Sequence, residues 1–583
     1  VSEDTDSIEL SGPTDEAFQH DGYKAHFIKI SEQIKNETNP FLKDEGLFTS
    51  AKAGPNGPAM LECDKDFAAI KDTQILETIV SLNETIQPML TGKPDRDEVQ
   101  LNRDAFAPEL DVDPAMEEDN LKAIDRIERK TNLYKAMEKF CAWRIKSDPH
   151  CYDNVKTSKI GRISEGGCKT RTVAIGDFFT QDALKPIHKS LYRVLRKIDT
   201  DGTSSHDRIS QIVKSRTSEG SPTWSFDLSN ATDRFPRFIE KEVMSVMYGS
   251  KVATLWEKLM VDRDFYVAER KSSVRYAVGQ PMGLLSSWAS FALTHHVVIK
   301  GCASKVGISD FDDYVIIGDD VTIFNESVAD EYVKFLSSYQ VDISWSKSLH
   351  SMGKPSCAEI AKRIFKDGEE LSPIPYDAIE TALNQPLLFP NLIKLCIERG
   401  VVTTESRNIP DQSTLLAVYK SSTAFRVLTL LSYPGLFLPF MGSEQVTWYE
   451  TPENIQVVFN TVRKDYIASK ARVLYEVLQS PALPDMGTLG VALVSDDGPA
   501  MLSYHPLFIL LRSYRSNCGL VQNWIITHGG ELSLEDSKLI PFLINPMIPN
   551  FVRRSHLIEK TRSTLILKTY QAVKDAVTED ELT

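Results

Sequence analysis

The sequence predicts an α+β fold in which a mostly antiparallel sheet, backed by helices, carries carboxylates on one open face. Three observations lead there. Between about residues 223 and 345 the pattern runs strand, helix, hairpin, helix, strand. The hairpin candidate, DYVIIGDDVTIF (313–324), has apolar residues on both sides of Gly318, Asp319 and Asp320. A second apolar strand, in WSFDLSNATDRFP (224–236), ends at another acid, Asp227.

Residues 1–45 are acidic and weakly periodic, and read as a peripheral arm. Residues 47–61, LFTSAKAGPNGPAML, form a loop rich in Gly and Pro. Helical spacing runs through 114–147, with Leu121, Ile124, Ile127, Leu133, Met137 and Phe140 as its apolar positions. Residues 179–198 read as a basic amphipathic helix or two. Residues 223–228 are a strand, followed by a mixed helical region to about Asp262. Residues 265–268 and 274–278 could pair as strands. Residues 288–300 are apolar on most sides, as a buried helix is. Asn325 caps a helix running through Ser338, whose face is Val328, Tyr332, Phe335 and Leu336. Residues 341–345 look like another strand. Beyond about 375 the chain is largely helical with Pro-marked breaks. The most apolar stretch, 425–441, is interrupted by Arg426, Pro434, Gly435 and Pro439, so it reads as core around a turn. No apolar run reaches the roughly 18 residues that a spanning helix needs.

The composition, 42% hydrophobic and 25% charged over 583 residues, is that of an ordinary globular protein. Residue 1 is Val, which suggests a fragment or a processed chain. The eight cysteines are scattered without CxxC spacing, which signals neither a zinc site nor a redox dithiol and suits a reducing compartment. The net charge of −15 argues against a nucleic-acid partner, but its distribution does not. Residues 1–50 hold 4 basic and 11 acidic residues, whereas 156–216 hold 13 basic and 6 acidic. Phosphate binding is a local property of a groove, so a basic stretch can serve an acidic protein. The alternative for this stretch is a solvated face.

The acids carry the chemistry. A Gly-containing turn exposes Asp319 and Asp320 at a hairpin tip, where they repel each other unless something positive sits there. Mg²⁺ is the natural partner, because it takes oxygen ligands and bridges to substrate phosphates. A plain solvated turn is the alternative. If the Asp227 strand pairs beside the hairpin, Asp227 faces Asp319 across two metals roughly 3.5–4 Å apart. One would activate an attacking 3′-hydroxyl and the other would hold the triphosphate and its leaving pyrophosphate. Asp233, six positions beyond Asp227, is too distant to be a ligand. It could accept from a ribose 2′-OH, or simply stabilise a helix N-terminus.

Between these acids lies VGQPMGLLSSWASFALTHH (278–296). Gly279, Pro281 and Gly283 make a loop without bulky side chains, suited to close passage of a base pair, or to a merely structural junction. In order, DLSNATDRFP, GQPMGLLSSW and GDD resemble motifs A, B and C of viral RNA-dependent RNA polymerases, those of mitoviruses in particular, with narnavirus and ourmia-like relatives. The resemblance covers about 46–375. It implies a right-hand fold: fingers (46–222), palm (223–375, with a fingers insertion near 237–278) and a helical thumb (376–583) after the arm at 1–45.

The resemblance also implies roles for residues. EGGCKTRTVAIGDFFTQDALKPIH (165–188) is similar to motif F, which places Lys169 and Arg171, with Arg162 joining them, on the incoming triphosphate. VDISWSKSLHS (341–351) is similar to motif D and makes Lys347 the proton donor to pyrophosphate; a surface lysine is the alternative. CAEIAKRIFKDG (357–368) resembles motif E. TSAKAGPNGPA (49–59) resembles the loop that admits the template, or a plain connection, with Lys52 and Gly54 as RNA contacts alongside Gly279, Gln280 and Gly283. One departure stands out: where many such polymerases place an Asn in motif B, this chain has Phe291, leaving Ser286 or Ser287 to read the ribose with Asp233. His295 and His296 point about 100° apart on a helix and cannot chelate one ion together, which leaves them structural.

The implied activity is RNA-templated RNA synthesis from NTPs, with two Mg²⁺ ions for which Mn²⁺ can substitute. RNA template and product would be the partners of a monomer resident in the host mitochondrion, or in the cytoplasm if narnavirus-like. A reverse transcriptase and a non-catalytic RNA-binding protein are the competing readings. A nucleotide-driven motor is disfavoured, because no GxxxxGK[ST] loop occurs.

Overall fold

The computed structural model describes residues 6–379, except 46–47, 49–51, 58, 60–61, 92–125 and 166–168, together with 395 and 399. Two compact units divide the chain: the described residues up to Glu369 lie in the first, and those from Glu370 onward in the second. Most of the segment expected as a thumb therefore lies outside the described residues, as does the 425–441 stretch. The α+β expectation holds for the first unit.

The N-terminal segment is not a peripheral arm. It forms α1 (Asp6–Glu9), α2 (Asp15–His20) and α3 (Tyr23–Thr38). Tyr23, Phe27, Ile30 and Ile34 repeat at helical spacing and are buried in the main core, with Ile8 and Phe18. Tyr23 and Phe27 pack edge-on against Phe335, at 5.2 and 5.5 Å between ring centroids. The acidic composition of the segment masked this apolar stripe.

Next come α4 (Cys63–Ile70), α5 (Gln74–Ile86) and α6 (Arg126–Ser147), the last being the described part of the predicted 114–147 helix. A long antiparallel hairpin follows, β1 (Ser158–Glu165) with β2 (Lys169–Gly176). The basic stretch after it is one helix, α7 (Phe178–Arg196), which continues through Pro186. Asp177 caps it by accepting from the Thr180 amide at 2.8 Å. The same carboxylate receives the fully buried Arg263 guanidinium at 2.7 Å, and Arg263 also donates to Thr180 and Ser158.

After α8 (His206–Glu219), the central sheet begins with β3 (Thr223–Phe226). The single turn α9 (Ala231–Arg234) leads into α10 (Arg237–Tyr248) and α11 (Ser250–Val261). β4 (Phe265–Val267) joins β1 in parallel and pairs antiparallel with β5 (Ser272–Val274). α12 (Ser287–Lys305) is buried nearly all round, as its apolar sequence predicts. β6 (Tyr314–Ile317) and β7 (Asp320–Ile323) form the predicted hairpin. Asn325 caps α13 (Glu326–Ser338) by accepting from the Val328 amide, also as predicted. β8 (Leu349–Ser351) closes the sheet in the order β6-β7-β3-β8, antiparallel throughout. β9 (Cys357–Ile360) and β10 (Arg363–Lys366) make a further hairpin.

Two predicted strands are shortened: beyond Val274 the first finds helical partners, and the second pairs with the continuation of β3 at one bridge only. In 274–278 only Val274 is in β5. Beyond it, the Ala277 amide donates to Ile8 O, and Val278 O accepts from Arg237 N. In 341–345 the chain makes a single bridge, Ile343 with Leu228. Ser344 N then donates to Asp227 O, and a turn through Lys347 moves the strand to β8. Among the described residues, no helix is long and apolar enough to cross a membrane.

Arg263→Met leaves the buried Asp177 side chain without its guanidinium partner. A stability loss of about 3–5 kcal/mol is expected in urea denaturation.

Candidate active site

Strand register makes the site. Phe226 pairs with Val321, so the next antiparallel step puts Asp227 beside Asp320. Ile317 pairs with Asp320, which leaves Gly318 and Asp319 as a two-residue turn at the sheet edge. Gly318 has φ +65°, the left-handed conformation that hairpin turns assign to glycine. A Cβ at this position would also lie 2.2 Å from the Trp288 ring.

The electrostatics show the acids acting on one another. Burial, then Asp319, Asp227 and Glu359, push the Asp320 carboxyl up to about 6. Burial and Asp227 likewise raise Glu359. Lys347 Nζ stands 3.4 Å from Asp227 Oδ2 and is mostly exposed. The motif-like segments around 227, 319–320 and 347 thus converge. Glu359 is an acid the sequence reading missed. Its place on the outward side of β9, between buried Ala358 and Ile360, is readable as strand alternation, but its neighbours are not. It is held by Ser225 Oγ, which accepts from the Glu359 amide, and by Thr322 Oγ1, which donates to its carbonyl.

Among the described residues, no three His, Cys, Asp or Glu side chains are grouped as a ready-made metal cage. The donor set nevertheless suits a hard divalent cation: oxygen ligands only, whose mutual repulsion a cation relieves. Mg²⁺ in particular is commonly held by one or two carboxylates plus substrate phosphates, not by an all-protein cage.

The remaining expected site residues divide. On the β1–β2 hairpin, positions 169 and 171 share one face. Arg162, paired with Thr172, falls on the opposite face and meets Glu269 at 3.5 Å, so it does not join them. Asp233 is not among the charges acting most strongly on Asp320. It is held under the N-terminal segment, where Ser7 Oγ donates to Asp233 Oδ2 at 2.9 Å and burial pushes its carboxyl up to about 6. The adjacent Arg234 fastens the same segment by donating to Leu10 O and Ser11 O.

The motif B-like loop turns inward. Gln280 is fully buried, and its amide nitrogen donates to Glu240 Oε2 at 2.6 Å and to Ser287 O, so its side chain braces the loop and does not face a template. Ser286 Oγ accepts from the Trp256 indole at 2.8 Å, and Ser287 is buried, so neither hydroxyl lies open to a ribose. The glycines permit close passage of the chain's own backbone. A Cβ on Gly279 would meet Thr232 O at 2.2 Å, and one on Gly283 would meet Ala174 O at 2.3 Å. Gly283 itself is exposed.

The Lys52–Ala59 loop is a tight turn, with Ala59 N donating to Lys52 O and Gly54 N to Gly57 O. Asn56 pins it by exchanging two hydrogen bonds with the Lys156 backbone and donating to Asp66. Beside it opens a cleft of about 740 Å³ whose lining includes Lys65, Lys156, Lys159 and Tyr266. His295 and His296 take separate partners, as their helical geometry requires. His295 lies between Gly318 O and Tyr332, and His296 between Tyr314 and Asp201.

Comparison with known proteins gives the family. Residues 40–429 match the model of the mitovirus RNA-dependent RNA polymerase, and the chain belongs to that family. It is 33% identical over 208 residues to the RNA-directed RNA polymerase of Cryphonectria parasitica mitovirus 1, a match covering 35% of this chain and 25% of that relative. It is 36% identical over 198 residues to an uncharacterized mitochondrial protein of Arabidopsis thaliana, covering 32% of this chain and 76% of that protein. Among solved structures, the RNA-dependent RNA polymerase of a human picobirnavirus (insertion-loop deletion mutant) aligns at a TM-score of 0.32 and 14% identity, over 52% of this chain and 64% of that one.

Gly279→Ala forces a methyl into the Thr232 carbonyl. A loss of about 1–3 kcal/mol is expected in thermal or urea denaturation.

Proposed function

We propose that this chain is a template-directed RNA polymerase that transfers nucleotides from NTPs to an RNA 3′-hydroxyl. The observation that carries the proposal is the register that sets Asp227 beside Asp320, with Asp319 at the adjoining turn. Membership of the mitovirus polymerase family supports it.

In this reading, Asp227, Asp319 and Asp320 hold two Mg²⁺ ions, for which Mn²⁺ can substitute. When bound, the ions supply Lewis-acid activation of the 3′-hydroxyl and charge neutralisation on the triphosphate. Lys347, beside Asp227 and mostly exposed, swings onto the pyrophosphate and donates a proton as it leaves. Lys169 and Arg171, on one face of the β1–β2 hairpin, receive the triphosphate. The basic cleft beside the Lys52–Ala59 loop offers lysines for phosphates and Tyr266 for a base, as a single-stranded template path requires. Lys156 already lies 4.6 Å over the Tyr266 ring. The β1–β5 region serves as fingers, the central sheet as palm and the segment beyond 375 as thumb, in a monomer working in the host mitochondrion.

Purified protein given an RNA template, NTPs and Mg²⁺ tests this, with dNTPs as the control for a reverse transcriptase. Asp319→Ala and Asp227→Ala should abolish incorporation while RNA binding persists; turnover in either variant removes that acid from the mechanism. Lys347→Ala should lower kcat by about 10²-fold, the range of a lost general acid, with RNA binding retained. Lys169→Ala should raise the apparent NTP KM, and unchanged nucleotide kinetics refute the clamp.

A further inference from the structure

Asp319 hangs on the peptide whose carbonyl belongs to Gly318. Glycine rotates freely, so a two-residue turn that begins with it is the softest place in the acid cluster. Two side chains on one face of α12 close on that turn. The Trp288 ring packs against the Gly318 Cα, leaving no room for even a methyl group. Two helical turns on, His295 Nδ1 lies 2.8 Å from Gly318 O. A carbonyl only accepts, so this ring nitrogen carries the proton.

The imidazole is itself held at both ends. The Tyr332 hydroxyl on α13 lies 2.8 Å from Nε2, and the two rings stack at 5.7 Å between centroids. Phe291 packs on the ring at 5.7 Å. His295 is fully buried, which pushes its pKa down to about 4 and leaves it neutral at working pH. Tyr332, whose own pKa burial raises, stays protonated and donates to Nε2.

We propose that His295 is a positioning residue: its Nδ1–H fixes the Gly318–Asp319 peptide plane and thereby aims the Asp319 carboxylate at the cation it shares with Asp227 and Asp320. This inference rests on the polymerase reading above. It also gives the motif B helix a task at the reaction centre that its buried serines and Gln280 do not perform. A neutral donor suits that task, because it orients the turn without supplying the positive charge the acids must draw from a cation.

Asparagine and glutamine separate positioning from packing. The Asn amide nitrogen overlies Nδ1 and can still reach Gly318 O; the Gln nitrogen overlies Nε2 and cannot. His295→Gln should lower kcat by about 10²-fold, as misplacement of a reacting group does, with the NTP KM little changed. It should also weaken Mn²⁺ binding to the RNA-bound protein, followed by electron paramagnetic resonance. His295→Asn should stay within about threefold of wild type in both readouts. Folded Asn and Gln variants with equal kcat, or unchanged Mn²⁺ affinity in the Gln variant, would overturn the proposal. If neither variant folds, Tyr332→Phe decides: reduced kcat in folded protein supports positioning, and unchanged kcat overturns it. Wild-type protein that incorporates nothing sinks the polymerase reading itself.

Discussion

The arrangement depends on repulsion among carboxylates that the backbone will not allow to separate. Pairing of β3 with β7 ties Asp227 to Asp320, and the β6–β7 turn adds Asp319 one residue away. Burial and three neighbouring acids raise the Asp320 carboxyl to about 6. Such a cluster costs stability in the free protein. It is tolerable because Asp227, Asp319 and Asp320 sit at strand ends or the turn, partly open to water, while the strands behind them are apolar and buried.

The surroundings of the sheet serve rigidity. α12 runs buried behind the hairpin and spends its polar groups on fixed partners: His295 on Gly318 and Tyr332, His296 on Tyr314 and Asp201, Ser290 on Glu240. The N-terminal segment adds a second brace by threading residues 7–11 over Asp233 and Arg234 and seating α3 in the core. The β1–β2 hairpin projects its basic positions from a sheet anchored by the buried Arg263–Asp177 pair. These are different devices with one effect: each restricts a loop that bears candidate functional groups.

Much of this was legible in the residues. The apolar flanks of Gly318-Asp319-Asp320 announced a hairpin, the Asn325 cap announced α13, and the unrelieved apolarity of 288–300 announced a buried helix. Period and local capping are properties of neighbours in sequence, so a sequence reports them. The strand expected at 341–345 is reduced to one antiparallel bridge, Ile343 with Leu228, because the Val341 amide is taken by Leu336 at the end of α13 and Ser344 O accepts from the turn that follows, and no local propensity carries that information.

The sequence by itself therefore determined the identity of the acids, the order of the motifs that carry them and the type of most elements, because these depend on side-chain chemistry and short-range spacing. Only the tertiary structure decided which groups meet. Register brought Asp227 to Asp320 and Glu359 into their field, while long-range packing turned Gln280 and Ser286 inward, placed Ser7 on Asp233 and set His295 against Gly318. Those pairings join residues distant along the chain, and they exist only once the intervening chain has folded around a shared core.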